Sequence, residues 1–199
     1  MNRLAKIRAE LLNRGLDGIL ILRPENRRYL SGFSGSSGAL LITQSEALLF
    51  TDFRYIEQAN AQAPGFRVVK HGQVIWDSIA EFAAQLPELA FEKDFVTFEQ
   101  YQLFAEKFKG CNLVPVSGIV ESLRSKKEDN ELVEMQKAAD LADLAFAHIL
   151  TYIKPGISEK QVALELEFFL RKNGASGPSF DFIVASGPRS SLPHGVAGD

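Results

Sequence analysis

The sequence predicts an α/β chain, with a mixed-sheet domain over residues 1–122 and the opening of a second domain over 123–199. Three observations carry this reading. Short apolar runs alternate with amphipathic helical stripes through the first part. Two of those runs, Ala39-Leu40-Leu41-Ile42 and Ala47-Leu48-Leu49-Phe50, are separated only by the polar link Thr43-Gln44-Ser45-Glu46, which places an antiparallel hairpin inside the alternating order. At 122–130 the composition then shifts to a charged stretch without glycine or proline that leads into a long helical stripe.

Taken in order, Leu4, Ile7, Leu11 and Leu12 are read as one helical face, with Gly15 as a left-handed C-terminal cap. Gly18-Ile19-Leu20-Ile21-Leu22 reads as a buried strand ended by Pro24. After the hairpin, a helix containing Tyr55, Ile56 and Ala59 leads through Pro64-Gly65 to a strand at 67–70. Ile75, Ile79, Phe82 and Leu86 mark another amphipathic helix, followed by the apolar pair Ala90-Phe91. Thr97-Phe98-Glu99-Gln100 has the capping pattern of a helix start, and 112–116 reads as a strand.

In the second part, Leu132, Met135, Ala139, Ala142, Phe146, Ile149 and Ile153 alternate spacings of three and four. Such a stripe packs against a helix or a sheet, and Pro155-Gly156 ends it. Ser158-Glu159-Lys160-Gln161 is a capping box for a helix whose Val162, Leu166, Phe169 and Leu170 share a face and whose end is marked by Gly174. Residues 180–185 read as a strand, which Gly187-Pro188 turns toward His194. Two helices and one strand are too little for a closed core, so the second domain is read as unfinished at Asp199.

With 199 residues, 46% hydrophobic and 24% charged, the chain can bury a substantial core. Its net charge of −3 supplies no broad basic field, which argues against a nucleic-acid partner. The single cysteine, Cys111, cannot form an intramolecular disulfide and rules out a cysteine-based structural zinc site. Neither a signal peptide nor a bilayer-length apolar segment is visible, so the expectation is a cytoplasmic protein without a membrane partner.

Several site chemistries can be weighed from the residues. The glycines of Gly32-Phe33-Ser34-Gly35-Ser36-Ser37-Gly38 precede an apolar strand rather than a helix, so a turn is favoured over a phosphate cradle. A Ser-His-Asp hydrolase finds no support, because no GxSxG elbow occurs. His148 lies inside the long helix, where a structural role is the default, and His71 sits in a loop after a strand. His194 is different: Pro193 restricts the chain before it and Gly195 permits close approach after it, so its imidazole could be held over a cavity. No HExxH and no close histidine pair is present, so the sequence encodes no convincing metal site.

Four segments together point to a family. The run 26–38, Asn26-Arg27-Arg28-Tyr29-Leu30-Ser31-Gly32 and the glycine loop after it, resembles the segment after the first strand of Xaa-Pro aminopeptidases and prolidases. Thr51-Asp52-Phe53-Arg54-Tyr55-Ile56-Glu57-Gln58-Ala59 resembles their TD-x-RY-x-EQA helix entry. Leu123 to Lys127, Glu131 and Ala138-Ala139 are similar to their interdomain stretch and first catalytic helix, and 179–195 to their SF-x-x-IVASG…PHG motif.

The resemblance implies a creatinase-like N-terminal domain followed by the start of an α+β pita-bread metallopeptidase domain. It also implies hydrolysis of the bond before proline in proline-containing peptides, by a homodimer using two divalent ions, with manganese the expected metal. The family's five metal ligands follow the PHG motif, and none is carried over. The chain is therefore expected to be C-terminally truncated, to bind no metal by itself and to be inactive in isolation. His194 matches the family's substrate-contacting histidine and is the one catalytic and substrate-binding residue assigned. Aminopeptidase and dipeptidase are not distinguished. A creatinase-like amidinohydrolase and a non-catalytic peptide- or protein-binding member of the same fold are the competing readings.

Overall fold

A computed structural model describes residues 2–199, which divide into two compact units, one ending at Lys126 and the other beginning at Lys127. The first unit runs α1 (Arg3–Asn13), β1 (Gly18–Ile21), α2 (Pro24–Ser31), β2 (Ala39–Thr43) and β3 (Ala47–Thr51). A 3₁₀ turn at Phe53–Tyr55 leads into α3 (Ile56–Gln62), and then come β4 (Arg67–Lys70), α4 (Ile75–Ala83), β5 (Glu88–Glu92), α5 (Phe98–Lys107), β6 (Asn112–Val116) and α6 (Ile119–Ser125). The anticipated boundary after residue 122 falls inside α6, which the first unit keeps whole.

The six strands form one mixed sheet in the order β4-β3-β2-β1-β5-β6. The hairpin pairs β2 and β3 antiparallel, β1 and β2 are antiparallel across α2, and β3–β4, β1–β5 and β5–β6 are parallel. Both faces are covered. Ile19, Ile21, Leu40, Ile42 and Leu49 point toward Ile7 and Leu11 of α1, Ala59 of α3 and Ile119 of α6. Their neighbours Leu20, Leu41, Leu48, Phe50 and Phe91 point the other way, toward Ile79 of α4 and Phe104 of α5. Burial on two faces is why these strands read as continuous apolar runs. Each fully buried Leu, Ile or Phe contributes about 1.5–3 kcal/mol against the cost of ordering the chain.

Leu12 departs from the expected α1 face, at 71% exposed. It sits about 100° around the helix from Leu11, away from Ile7 and Leu4. Apolar spacing does not predict helix α2. Pro24 opens it at the first helical position and Gly32 closes it at φ 83°, where a Cβ would meet the Gln62 carbonyl oxygen at 2.7 Å.

The buried residues of α2 include polar ones. Glu92, at the end of β5, accepts from the Leu22 and Arg23 amides at 2.7 and 2.8 Å and from the Asn26 side-chain amide at 2.6 Å. Asn26 also donates to Glu121 at 2.7 Å and accepts from Arg124 at 2.9 Å, so its buried amide joins α2 to β5 and α6, while Glu92 ties in the chain leaving β1. Burial pushes the Glu92 carboxyl above its ordinary range despite the three N–H groups aimed at it.

The second unit contains α7 (Asp129–Tyr152), α8 (Glu159–Lys172) and a 3₁₀ turn at Gly187–Ser191. The expected capping box opens α8, with Ser158 accepting from the Gln161 amide and Gln161 from the Ser158 amide. Between the helices, Ala145, Ile149 and Val162 are buried. Much of the α7 stripe is uncovered: Leu132, Met135, Phe146 and Ile153 are each more than half exposed. The strand expected at 180–185 does not form. Only one antiparallel bridge occurs there, Ile183 to Val196, because no neighbouring strand among the described residues offers a ladder. No described helix is long and apolar enough to cross a membrane.

Candidate active-site loop

The segment that carries His194 is organised by a residue near the start of α8. Glu159 lies one position after the Ser158 cap, and its carboxylate faces back across the incoming chain. One oxygen accepts from the Ser186 amide at 2.7 Å and the Ser186 hydroxyl at 3.0 Å. The other accepts from the Gly198 amide at 2.8 Å and from the Arg189 guanidinium. Arg189 also donates to the Val196 carbonyl at 2.6 Å, and the Gly198 carbonyl accepts from the Lys160 amide at 3.1 Å. A loop of about a dozen residues is thus cinched at both ends onto one carboxylate.

Inside that loop the chain is tightly wound. Arg189 N–H donates to Ser186 O, Leu192 N–H to Arg189 O and Gly195 N–H to Leu192 O, at 3.1, 2.9 and 3.2 Å. Gly195 is buried, and a Cβ there would meet the Ala185 side chain at 3.0 Å, which satisfies the expected need for close approach. His194 itself is exposed, and its ring makes no hydrogen bond with the described residues. The loop presents this imidazole outward rather than over a closed cavity within its own unit.

The Gly198 amide first, and then the Ser186 amide, holds the Glu159 carboxyl below its ordinary range, with Arg189 adding to the effect. A carboxylate depressed in this way supports the loop fully above its unfolded pKa of about 4.3 and loses that support as pH falls through the lower folded value. The amide resonances of Ser186 and Gly198 are therefore expected to titrate together with a midpoint below about 4.3. A shared midpoint above that value would contradict the arrangement.

The other two histidines lie outside this loop. His148 pairs with Glu165 at 2.7 Å and stacks on Phe169 at 4.2 Å between ring centroids, which ties α7 to α8. His71 contacts the Gly72 carbonyl at 2.7 Å after β4. Cys111 is partly buried, and burial raises its thiol pKa, a poor setting for a thiolate nucleophile. No cluster of three or more His, Cys, Asp or Glu placed to hold a metal occurs among the described residues, so they do not fit a divalent metal pair.

In the first unit the structure brings together two of the sequence segments singled out above. Arg27 is 3% exposed and donates to the Gly38 and Gly35 carbonyls at 2.5 and 2.6 Å, so the glycine loop closes around a guanidinium. Thr51 donates to Ser37 O at 2.8 Å, and the Tyr55 and Ser36 hydroxyls meet at 2.7 Å. Asp52 caps the 3₁₀ turn by accepting from the Arg54 amide at 3.0 Å and pairs with the Arg54 side chain at 2.8 Å. A loop that turns carbonyls inward onto a cation has the wrong polarity for phosphate. The favoured reading as a turn therefore stands on a physical reason.

Sequence reasoning assigned no role to Glu159, Arg189, Arg27 or Glu92. Arg189 stands in the PHG segment, and Arg27 in the glycine-loop segment together with the Gly35 and Gly38 carbonyls it holds, but no apolar pattern marks a buried guanidinium. Glu159 was visible only as the second residue of a capping box, 30 positions from Arg189.

Residues 3–126 match the model of the creatinase/prolidase N-terminal domain, and residues 133–199 match metallopeptidase family M24. The chain belongs to the creatinase/prolidase family. It is 46% identical to an uncharacterized peptidase of Bacillus subtilis, YqhT, over 99% of its own length and 56% of that protein's. Among solved structures, an Xaa-Pro dipeptidase from Bacillus anthracis superposes with a TM-score of 0.93 at 44% identity, covering 98% of this chain and 56% of that one. An X-Pro aminopeptidase from Thermotoga maritima gives 0.87 at 32% identity, covering 93% and 55%. The chain spans a little over half the length of each of these three relatives.

Proposed function

We propose that the gene product carrying this chain is a metal-dependent Xaa-Pro peptidase, and that His194 is its substrate-facing histidine. The observation that carries the reading is the Ser186–Gly198 loop: the segment resembling the family's PHG motif is pinned at both ends to Glu159 and leaves the His194 ring exposed. Likeness over nearly the whole chain to proteins named Xaa-Pro dipeptidase and X-Pro aminopeptidase supports it. An exposed imidazole can donate a hydrogen bond to the carbonyl oxygen before proline and stabilise the oxyanion that forms as that bond is attacked. Because the amide before proline carries no N–H, recognition of the bond rests on its carbonyl and on the ring.

The metal ions, with manganese the expected identity, would supply the activated water. The family resemblance implies that their ligands follow the PHG motif, and residues 1–199 alone are proposed to be inactive. A cytoplasmic homodimer is the form the family resemblance implies.

The test is hydrolysis of Ala-Pro and Ala-Pro-Ala by the full gene product with added manganese. Cleavage before proline that a chelator abolishes is expected, and His194→Ala should reduce turnover roughly a hundredfold with bound metal unchanged. Chelator-insensitive cleavage, or full turnover in His194→Ala, would overturn the corresponding half of the proposal.

A further inference from the structure

We infer that Glu159 and Arg189 are positioning residues for His194, acting as a clamp that fixes the loop between Ser186 and Gly198 from the first turn of α8. The inference rests on the reading of His194 given above and deepens it.

The geometry makes the clamp specific. Among the described residues, Glu159 alone bonds through its side chain to both ends of the loop, and that side chain is 11% exposed, so water competes weakly for its oxygens. All four of its contacts are donors, two on each oxygen, so both oxygens must be acceptors. Glutamine is nearly isosteric but can satisfy only one side. Its NH₂ group would face either the Ser186 donors or the Arg189 and Gly198 donors, which leaves one end of the loop opposed by like hydrogen-bond polarity.

Arg189 adds a second tie inside the loop by bridging Glu159 to the Val196 carbonyl, two residues beyond His194. That backbone contact sits next to the Ile183–Val196 bridge, the one ladder contact at the base of the loop. A lysine can keep the ion pair with Glu159 but has no planar fork to hold both acceptors at once. No strand among the described residues supports the loop beyond that single bridge, so its shape depends on these side-chain ties rather than on a sheet. The placement of an imidazole relative to a reacting carbonyl is steep in distance: a shift of about 1 Å can cost about a hundredfold in rate.

A positioning role predicts that loss of the clamp acts through His194. In the full gene product, kcat and KM for Ala-Pro are measured for Glu159→Gln, His194→Ala and the double variant, with thermal melting alongside. Glu159→Gln is expected to lower kcat roughly ten- to a hundredfold with KM changed less than about threefold. In the His194→Ala background the same change should be nearly silent. Arg189→Met should repeat the pattern at a site whose side chain is 44% exposed, and Arg189→Lys should recover part of the loss.

Full turnover in His194→Ala would overturn the functional reading and the clamp with it. A large His194→Ala loss together with unchanged kcat in Glu159→Gln would overturn the clamp alone. So would an equal Glu159→Gln loss in both backgrounds, which would mark a general structural effect. If Glu159→Gln does not fold, the Arg189→Met and Arg189→Lys pair decides by the same criteria.

Discussion

Replacing Arg27 with methionine is expected to destabilise the first unit by about 3 kcal/mol, the cost of two strong bonds lost and two carbonyls left unpaired. Methionine fills much of the same space, so the loss comes from chemistry rather than from a cavity. The Gly35 and Gly38 carbonyls now bond to the guanidinium at 2.6 and 2.5 Å, and Gly35 is buried. Without the cation they must turn toward water. That movement pulls on Phe33, whose fully buried ring lies against the loop so closely that a Cβ on Gly35 would come within 2.2 Å of it. Urea unfolding followed by Trp76, which packs on Phe104 at 4.7 Å between the two helices on the other sheet face, measures the change. The exposed neighbour Arg28→Met is the control and should stay within about 0.5 kcal/mol. A similar small effect at Arg27 would mean that the loop closes without its cation.

Glu92→Ala should be comparably costly, again about 3 kcal/mol. It strands the Leu22 and Arg23 amides and one hydrogen of the Asn26 amide where β1 and β5 end side by side. The carboxyl's raised pKa limits the loss, since burial already disfavours its charge. For the same reason Glu92 does not make the protein acid-labile. A carboxyl with a raised folded pKa favours the native state below its unfolded value and withdraws that contribution as pH rises through the folded one. The Glu92→Ala penalty, measured by urea at pH 4 and pH 7, should therefore be no smaller at pH 4. A penalty that vanishes on acidification would show that the charged carboxylate alone carries the network.

These two residues mark the limit of what the sequence discloses. The strands at 18–22, 39–42 and 47–50 were legible because a sheet buried on both faces needs apolar runs, and those at 67–70 and 112–116, half-buried on the sheet edges, because β-branched pairs stand between turn signals. The helix starts at Thr97 and Ser158 were legible because a cap is a local contact three residues long. Helix α2 escaped because its buried positions include Asn26, Arg27 and Ser31, and apolar periodicity cannot register a face buried through hydrogen bonds. The strand expected at 180–185 failed for the converse reason: its apolar residues, among them Phe180 at 78% exposed, have no ladder to join. At the candidate site, the histidine and the glycine after it stood next to each other in sequence. Their support did not, because Glu159 meets Ser186 across 27 positions and Gly198 across 39.

The strand order of the first unit also has a consequence in time. β1 is the first of the six sheet strands in chain order, and it lies in the interior of the finished sheet between β2 and β5. Emerging β2, β3 and β4 can each dock on the edge left by the strand before, and β5 and then β6 later extend the opposite edge. Vectorial synthesis at about 5–20 residues per second therefore never has to open a pairing already made in order to insert a later strand. By the time α7 emerges, the sheet behind it can already be whole.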